Sequence, residues 1–276
     1  MGEQQDQEQH QKESEAHERA SPGGEVVYKA ILKEGEDELS RPTGALFWSG
    51  LAAGLSMGFS LIGEALLRGH LPDATWRPLV AKFGYSLGFL IVILGRQQLF
   101  TENTLTPILP LLSRKENATI GNVLRLWCIV LLANLIGGLV VAFVIGKTNV
   151  LSPATQAACH EIGHEAMEHS FGLVLLKAVF AGWLIALMVW LLPFAETARV
   201  GVIIILTYII GVAGFSHSIA GSIEVFVIAV VGQKGWLHVI GGFIVPALIG
   251  NIIGGVALVA ALNHAQVVAG SSGEDV

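Results

Sequence analysis

The hydrophobic positions of this chain fall in long runs rather than in alternation with polar ones. A bilayer core of ~30 Å needs about 20 apolar residues in a helix. Six stretches qualify: about 44–67, 78–112, 119–146, 171–193, 200–231 and 239–262. They predict an all-α polytopic membrane protein. Two of the runs are interrupted. The second is too long and holds Arg96–Gln98, Thr101–Asn103, Pro107 and Pro110, and the fifth holds GFSHSIAGS, Gly214–Ser222. Backbone that leaves helical pairing at membrane depth is tolerated only against protein or a water-filled cavity. Helices two and five are therefore expected to be broken.

The runs also repeat. Leu132–Val144 reads LANLIGGLVVAFV and Ile249–Leu262 reads IGNIIGGVALVAAL, with Asn134 and Asn251 at an offset of 117. The interrupted spans align at an offset of 116, which sets Gly95 on Gly211 and Thr101 on His217. Spans one and four share only Ala53-Gly54 and Ala181-Gly182. The unit is three spans, an odd number, so the second copy enters the membrane inverted. Inverted repeats with a discontinuous helix in each half place a transport site near the midplane, where the breaks meet. Thr101 and His217 are expected to face one another across a pore.

Composition agrees: 53% of residues are hydrophobic and 14% charged, with mean hydropathy +0.63, against about a quarter charged in soluble domains. Residues 1–43 hold 11 of the 22 acidic and 5 of the 16 basic residues, so the remainder balances. Residues 1–43 are expected to be a disordered acidic tail, without the apolar core of a signal peptide. Residues 44–263 form the channel domain and 264–276 a short flexible tail. Cys128 and Cys159 give no disulfide framework, and Cys128 is expected to be a small buried hydrophobe. Lys29, Lys33, Arg41, Arg114, Lys115 and Arg199 on one side outnumber Arg68, Arg77, Lys147 and Lys234 on the other. This predicts cytoplasmic N- and C-termini in a cell (inner or plasma) membrane.

Several motifs together resemble the formate/nitrite transporter family across roughly residues 40–263. They are Tyr85-Ser-Leu-Gly-Phe89 with Leu99-Phe100-Thr101, Leu124-Arg-Leu-Trp127 with Asn134-Leu-Ile-Gly137, Gly214-Phe-Ser-His217-Ser-Ile-Ala220, and Gly250-Asn-Ile-Ile-Gly-Gly255. The resemblance implies an aquaporin-like six-helix protomer, a homo-pentamer with one pore per subunit, and small monovalent anions or their weak acids as cargo, often with protons. It implies that Tyr85 and Phe89 line a constriction, that Leu99, Phe100 and Thr101 form the loop of the first break, and that His217 is the central histidine. The sequence departs from the family pattern at Ser216 (glutamate), Gly182 (asparagine), Ala166 (lysine), Gln98 (acidic), Arg96 (glycine) and Glu102 (often small). No cofactor, bound metal or nucleic-acid partner is expected.

An anion at the centre of a bilayer is costly; a weak acid that takes up a proton crosses as a neutral molecule. A buried imidazole suits this chemistry, because its unperturbed pKa is about 6.5 and desolvation lowers it. Thr101 would position the solute, and Leu99 and Phe100 would form a dry gate. A lone histidine in a soluble core is ordinarily a packing residue, but on a paired membrane break the functional reading is favoured. Arg96 and Glu102 either pair, or Arg96 supplies anion attraction, or the two cap broken helix ends or make salt bridges between subunits. Glu224 either lines a vestibule or makes a structural hydrogen bond. Lys177 can be read as a pore cation but is expected to snorkel toward the interface, and Glu64 is expected to reach headgroups or water. A channel for another small solute, or a structural role, is the alternative. Residues 160–164 read HEIGH, which on a helix brings two imidazoles to one zinc ion with Glu161 as base. With Glu168 or His169 as a third ligand, and Cys159 adjacent, this makes a membrane zinc protease a minor alternative. Its place in a polar connection and the unexplained repeat speak against it.

Overall fold

The computed structural model describes residues 23–114 and 116–271, and the described chain is all helical. Five helices are long and apolar enough to cross a membrane: Thr43–His70, Arg77–Leu94, Asn117–Lys147, Phe171–Phe194 and Trp236–Gln266. In chain order these contain α2 (Thr43–His70), α3 (Arg77–Ala81) with α4 (Ser86–Leu94), α6 (Asn117–Lys147), α8 (Phe171–Leu191), and α11 (Trp236–Val239) through α12 (Val245–Gly255) to α13 (Leu262–Ser271). The last is joined by π turns at Ile240–Ile244 and Val256–Ala261. The fifth predicted span is divided into α9 (Arg199–Val212) and α10 (Ser218–Val230), each too short to cross alone. In the second span, α4 ends before the break, which resumes as a 3₁₀ turn at Glu102–Thr104 and α5 (Ile108–Arg114). Trp48, Leu132, Phe143 and Leu176 point outward from α2, α6 and α8, as lipid-facing side chains do.

Two asparagines set both breaks. Asn134 on α6 accepts from the Phe100 N–H at 2.9 Å and donates to the Gln98 carbonyl at 2.9 Å and the Gly50 carbonyl at 2.7 Å. Asn251 on α12 accepts from the Ser218 N–H at 2.7 Å and donates to the Ser216 carbonyl at 3.0 Å and the Ala178 carbonyl at 2.8 Å. Backbone groups freed from helical pairing are thereby satisfied where water is scarce. The matching extends to packing. A Cβ on Gly54 would strike the Asn134 backbone, and one on Gly182 the Asn251 backbone. The asparagine of the family pattern cannot stand at Gly182 in this packing, because α8 and α12 approach there backbone to backbone.

These bonds correct the expected register. Gln98 matches Ser216 and Phe100 matches Ser218, an offset of 118 rather than 116. Arg96 therefore matches Gly214, and both have positive φ, +50° and +61°. Thr101 matches Ile219, not His217. Glycine adopts such a φ freely, whereas arginine does so at a cost of roughly 1–2 kcal/mol.

Both expected tails are partly helical. α1 (Gly24–Ser40) buries Tyr28, Ile31 and Gly35, so residues 24–40 are not a disordered tail; residues 1–22 lie outside the described residues. α13 continues the last span to Ser271, and His264 Nδ1 lies 2.7 Å from the Tyr28 hydroxyl. The expected flexible end is ordered that far because its first turn docks on α1. Cys128 is exposed on α6, not buried, since its helix position faces away from the bundle.

A carboxylate near its C-terminal end helps to hold α1 in place. Glu38 accepts from Gln98 Nε2 at 3.0 Å, Asn103 Nδ2 at 3.2 Å and the Thr106 hydroxyl. Burial pushes its carboxyl above the ordinary 4.5, and the Thr106 and Gln98 donors pull partly back. A raised carboxyl binds protons more readily folded than unfolded, so its effect on docking weakens as pH rises from 4.5 through the raised value. Hydrogen exchange of α1 amides is expected to be slower at pH 5 than at pH 8 beyond the intrinsic rate difference. Glu38→Gln should remove that excess.

Candidate functional site

The two breaks meet at a side-chain bridge. Thr101 Oγ1 lies 2.9 Å from His217 Nε2, and both residues are essentially fully buried. His217 is also the N-cap of α10: its Nδ1 accepts from the Ile219 N–H at 3.3 Å and the Ala220 N–H at 3.1 Å. Both partners of Nδ1 are obligate donors, so Nδ1 is the bare nitrogen and the proton sits on Nε2, which donates to Thr101. The ring stands neutral in this arrangement. The sequence pattern sets Thr101 opposite His217, whereas the capping bonds that fix the tautomer arise only in the folded turn.

Apolar groups close the surroundings. Phe89 meets the His217 ring edge-on, with centroids 4.9 Å apart at 87°, and Tyr85 packs on Phe89 at 5.3 Å. Leu99 and Phe100 are buried, and Phe100 stacks edge-on against Trp127 at 5.8 Å. Trp127, the last residue of the Leu124-Arg-Leu-Trp127 motif, donates from Nε1 to the Asn103 carbonyl at 2.8 Å.

A cavity opens on each side. On the α7 side (α7, Pro153–Ala166) a cavity of about 250 Å³ reaches His217, Ser216, Tyr85 and Glu224, with Lys82 and Lys177 also in its wall. On the α1 side one of about 320 Å³ is lined by Arg96, Gln98 and Glu102 with Glu34, Glu38 and Arg199. Leu99, Phe100 and Thr101 join neither and lie along the chain between residues that do.

The charges are rearranged relative to expectation. Arg96 pairs with Glu34 on α1 at 3.5 Å, not with Glu102, because α1 covers this mouth. Glu64 does not reach headgroups or water: it is 1% exposed and pairs with Lys82 at 2.5 Å. Lys177 does not snorkel outward; its Nζ lies 2.6 Å from His169 Nε2 in the cavity wall.

HEIGH lies on α7, where each side chain has other work. His164 Nε2 lies 2.9 Å from Gln233 Oε1, and Gln233 Nε2 lies 3.3 Å from His160 Nδ1. Glu161 pairs with Arg68 at 3.2 Å. Among the described residues no group of three or more His, Cys, Asp or Glu is placed to hold a metal. The pair clamps α7 to the turn after α10. Burial and the neighbouring His164 hold the His160 ring below its ordinary 6.5, so the clamp is intact above pH 6.5 and weakens as pH falls through the lowered value. His160→Ala is expected to leave transport intact at neutral pH, measured as solute flux into proteoliposomes; a zinc-dependent activity would be lost.

A membrane protein with two asparagine-held breaks, meeting between two cavities, belongs to the class of channels and transporters. A family model described as "Formate/nitrite transporter" matches residues 25–265, and the chain belongs to that family. It is 38% identical over 242 residues to "Inner membrane protein YfdC" of Escherichia coli (strain K12), covering 88% of this chain and 78% of that protein. It is 28% identical to "Formate channel BtFdhC" of Bacillus thuringiensis, covering 85% and 92%. Among solved structures, an "FNT family ion channel" superposes with TM-score 0.74 at 21% identity over 86% of this chain and 96% of that one. A "Pentameric formate channel with formate bound" gives TM-score 0.67 at 19% identity over 82% and 98%. These two show the fold.

Proposed function

We propose that the protein carries a small monovalent weak acid of the formate or nitrite type between the two cavities, together with a proton. The observation that supports this most is the Thr101–His217 bridge standing between them. An anion gathers in the α7-side cavity, where Lys177, whose Nζ meets a histidine rather than a carboxylate, lies in the wall. It crosses the Phe89, Leu99 and Phe100 constriction as the neutral acid, since a bare anion there would be costly. At the narrowing, His217 Nε2–H and the Thr101 hydroxyl replace lost water, the imidazole remaining a neutral donor. Beyond it the acid meets Gln98 and Glu102 and releases its proton to water.

The α1 side is the cytoplasmic one in this reading, in an inner membrane, and the assembly is a pentamer like the solved formate channel. Ser216 contributes its carbonyl to Asn251 rather than an acid to the pore. Proteoliposomes with an internal pH dye and a formate gradient test the reading: formate uptake should acidify the lumen. Formate uptake without acidification, or no uptake of any weak acid, would exclude it.

A further inference from the structure

Proton-linked passage needs an acid, and the bridge does not supply one. His217 Nδ1 is turned to two backbone N–H groups. Protonating it would set a donor against donors and unmake the start of α10. Losing the Nε2 proton would leave an imidazolate. The ring can donate a hydrogen bond but cannot hand over a proton while it caps the helix, and a threonine hydroxyl is no acid at neutral pH.

A carboxyl group does line the same cavity. Glu224 stands seven residues after His217 on α10, roughly 10 Å along the axis and near the same face. It is half-buried, in a helix whose other residues are apolar or small. The cations nearby are engaged elsewhere. Lys82, from the α3–α4 turn, is paired with Glu64 of α2. Lys177 of α8 is held at His169, and Arg68 of α2 is held by Glu165 and Glu161 of α7. Tyr85 and Glu168 complete the ionisable wall. An ionisable side chain in a membrane-spanning helix that faces a cavity is costly unless used.

We propose that Glu224 is the acid of the α7-side cavity. The inference rests on the proton-linked reading above. The Glu224 carboxyl O–H bond breaks as a new O–H bond forms on the entering anion, which leaves for the bridge as a neutral acid. The remaining carboxylate is reprotonated from cavity water, so one proton moves with each solute. Such a group matters most where bulk protons are scarce, and least in acid, where water protonates the anion directly.

The test is formate-driven lumen acidification in proteoliposomes of wild type, Glu224→Gln and Glu224→Asp, across pH 5 to 8. Glu224→Gln should lose on the order of 10²-fold in flux at pH 7, the lower end of what a positioned acid contributes. The loss should shrink toward pH 5, and Glu224→Asp should regain much of the neutral-pH flux. Equal flux in Glu224→Gln and wild type at every pH would overturn the inference, as would a loss by the same factor at every pH that Glu224→Asp shares. If wild type takes up formate without acidification, the proton-linked reading itself fails, and this inference with it.

Discussion

Asn251→Leu should yield little folded protein, and Asn134→Leu should do the same. Leucine is close in volume but removes one acceptor and one double donor. At Asn251 the Ser218 N–H and the Ser216 carbonyl lose their partners inside the protein. Each orphaned buried group costs about 1–3 kcal/mol, so the pair removes a large share of a marginal stability. The Ala178 carbonyl loses a second bond but keeps its place in α8. Detergent-extracted protein should shift from a monodisperse peak to aggregate on size exclusion. Asn251→Asp, which keeps the acceptor and loses the donors, should fall between. A monodisperse Asn251→Leu protein melting with wild type would contradict the account of how the breaks are held.

The second large effect lies at the bridge. His217→Asn keeps a good N-cap and so should keep α10, but it removes the Nε2–H. Thr101→Val keeps shape and removes the hydroxyl. Loss of one positioned donor in a dry site costs about 10²–10³-fold in comparable chemistry, and flux should fall by that order in each variant. Because the two groups serve one solute at one point, the double variant should be little worse than either single one. Additive losses would mean that the two act separately.

Much of this was legible in the chain because membrane physics leaves few choices. Apolar length gave the spans, and two interruptions gave the breaks. The asparagine repeat was visible in Asn134 and Asn251, although not what the amides hold. The register failed by two residues because aligning glycines cannot reveal that Arg96 shares the backbone conformation of Gly214. α1 was missed because its burial depends on partners far along the chain: Thr106, Gln98 and His264. Glu64 was misplaced for the same reason, since Lys82 reaches it from another helix. Charge patterns read locally assume water nearby, and these side chains find protein instead. The HEIGH motif shows the converse, a local pattern whose imidazoles meet a partner that the pattern does not contain, Gln233.

The proposed path of the solute runs through the Thr101–His217 contact. Formate flux and lumen pH recorded together in proteoliposomes of wild type and the Thr101→Val/His217→Asn double variant test it most directly, with size exclusion confirming that both proteins are folded. Coupled formate and proton movement is expected in wild type, and the loss of both in the variant. Undiminished formate flux through a folded double variant would contradict it.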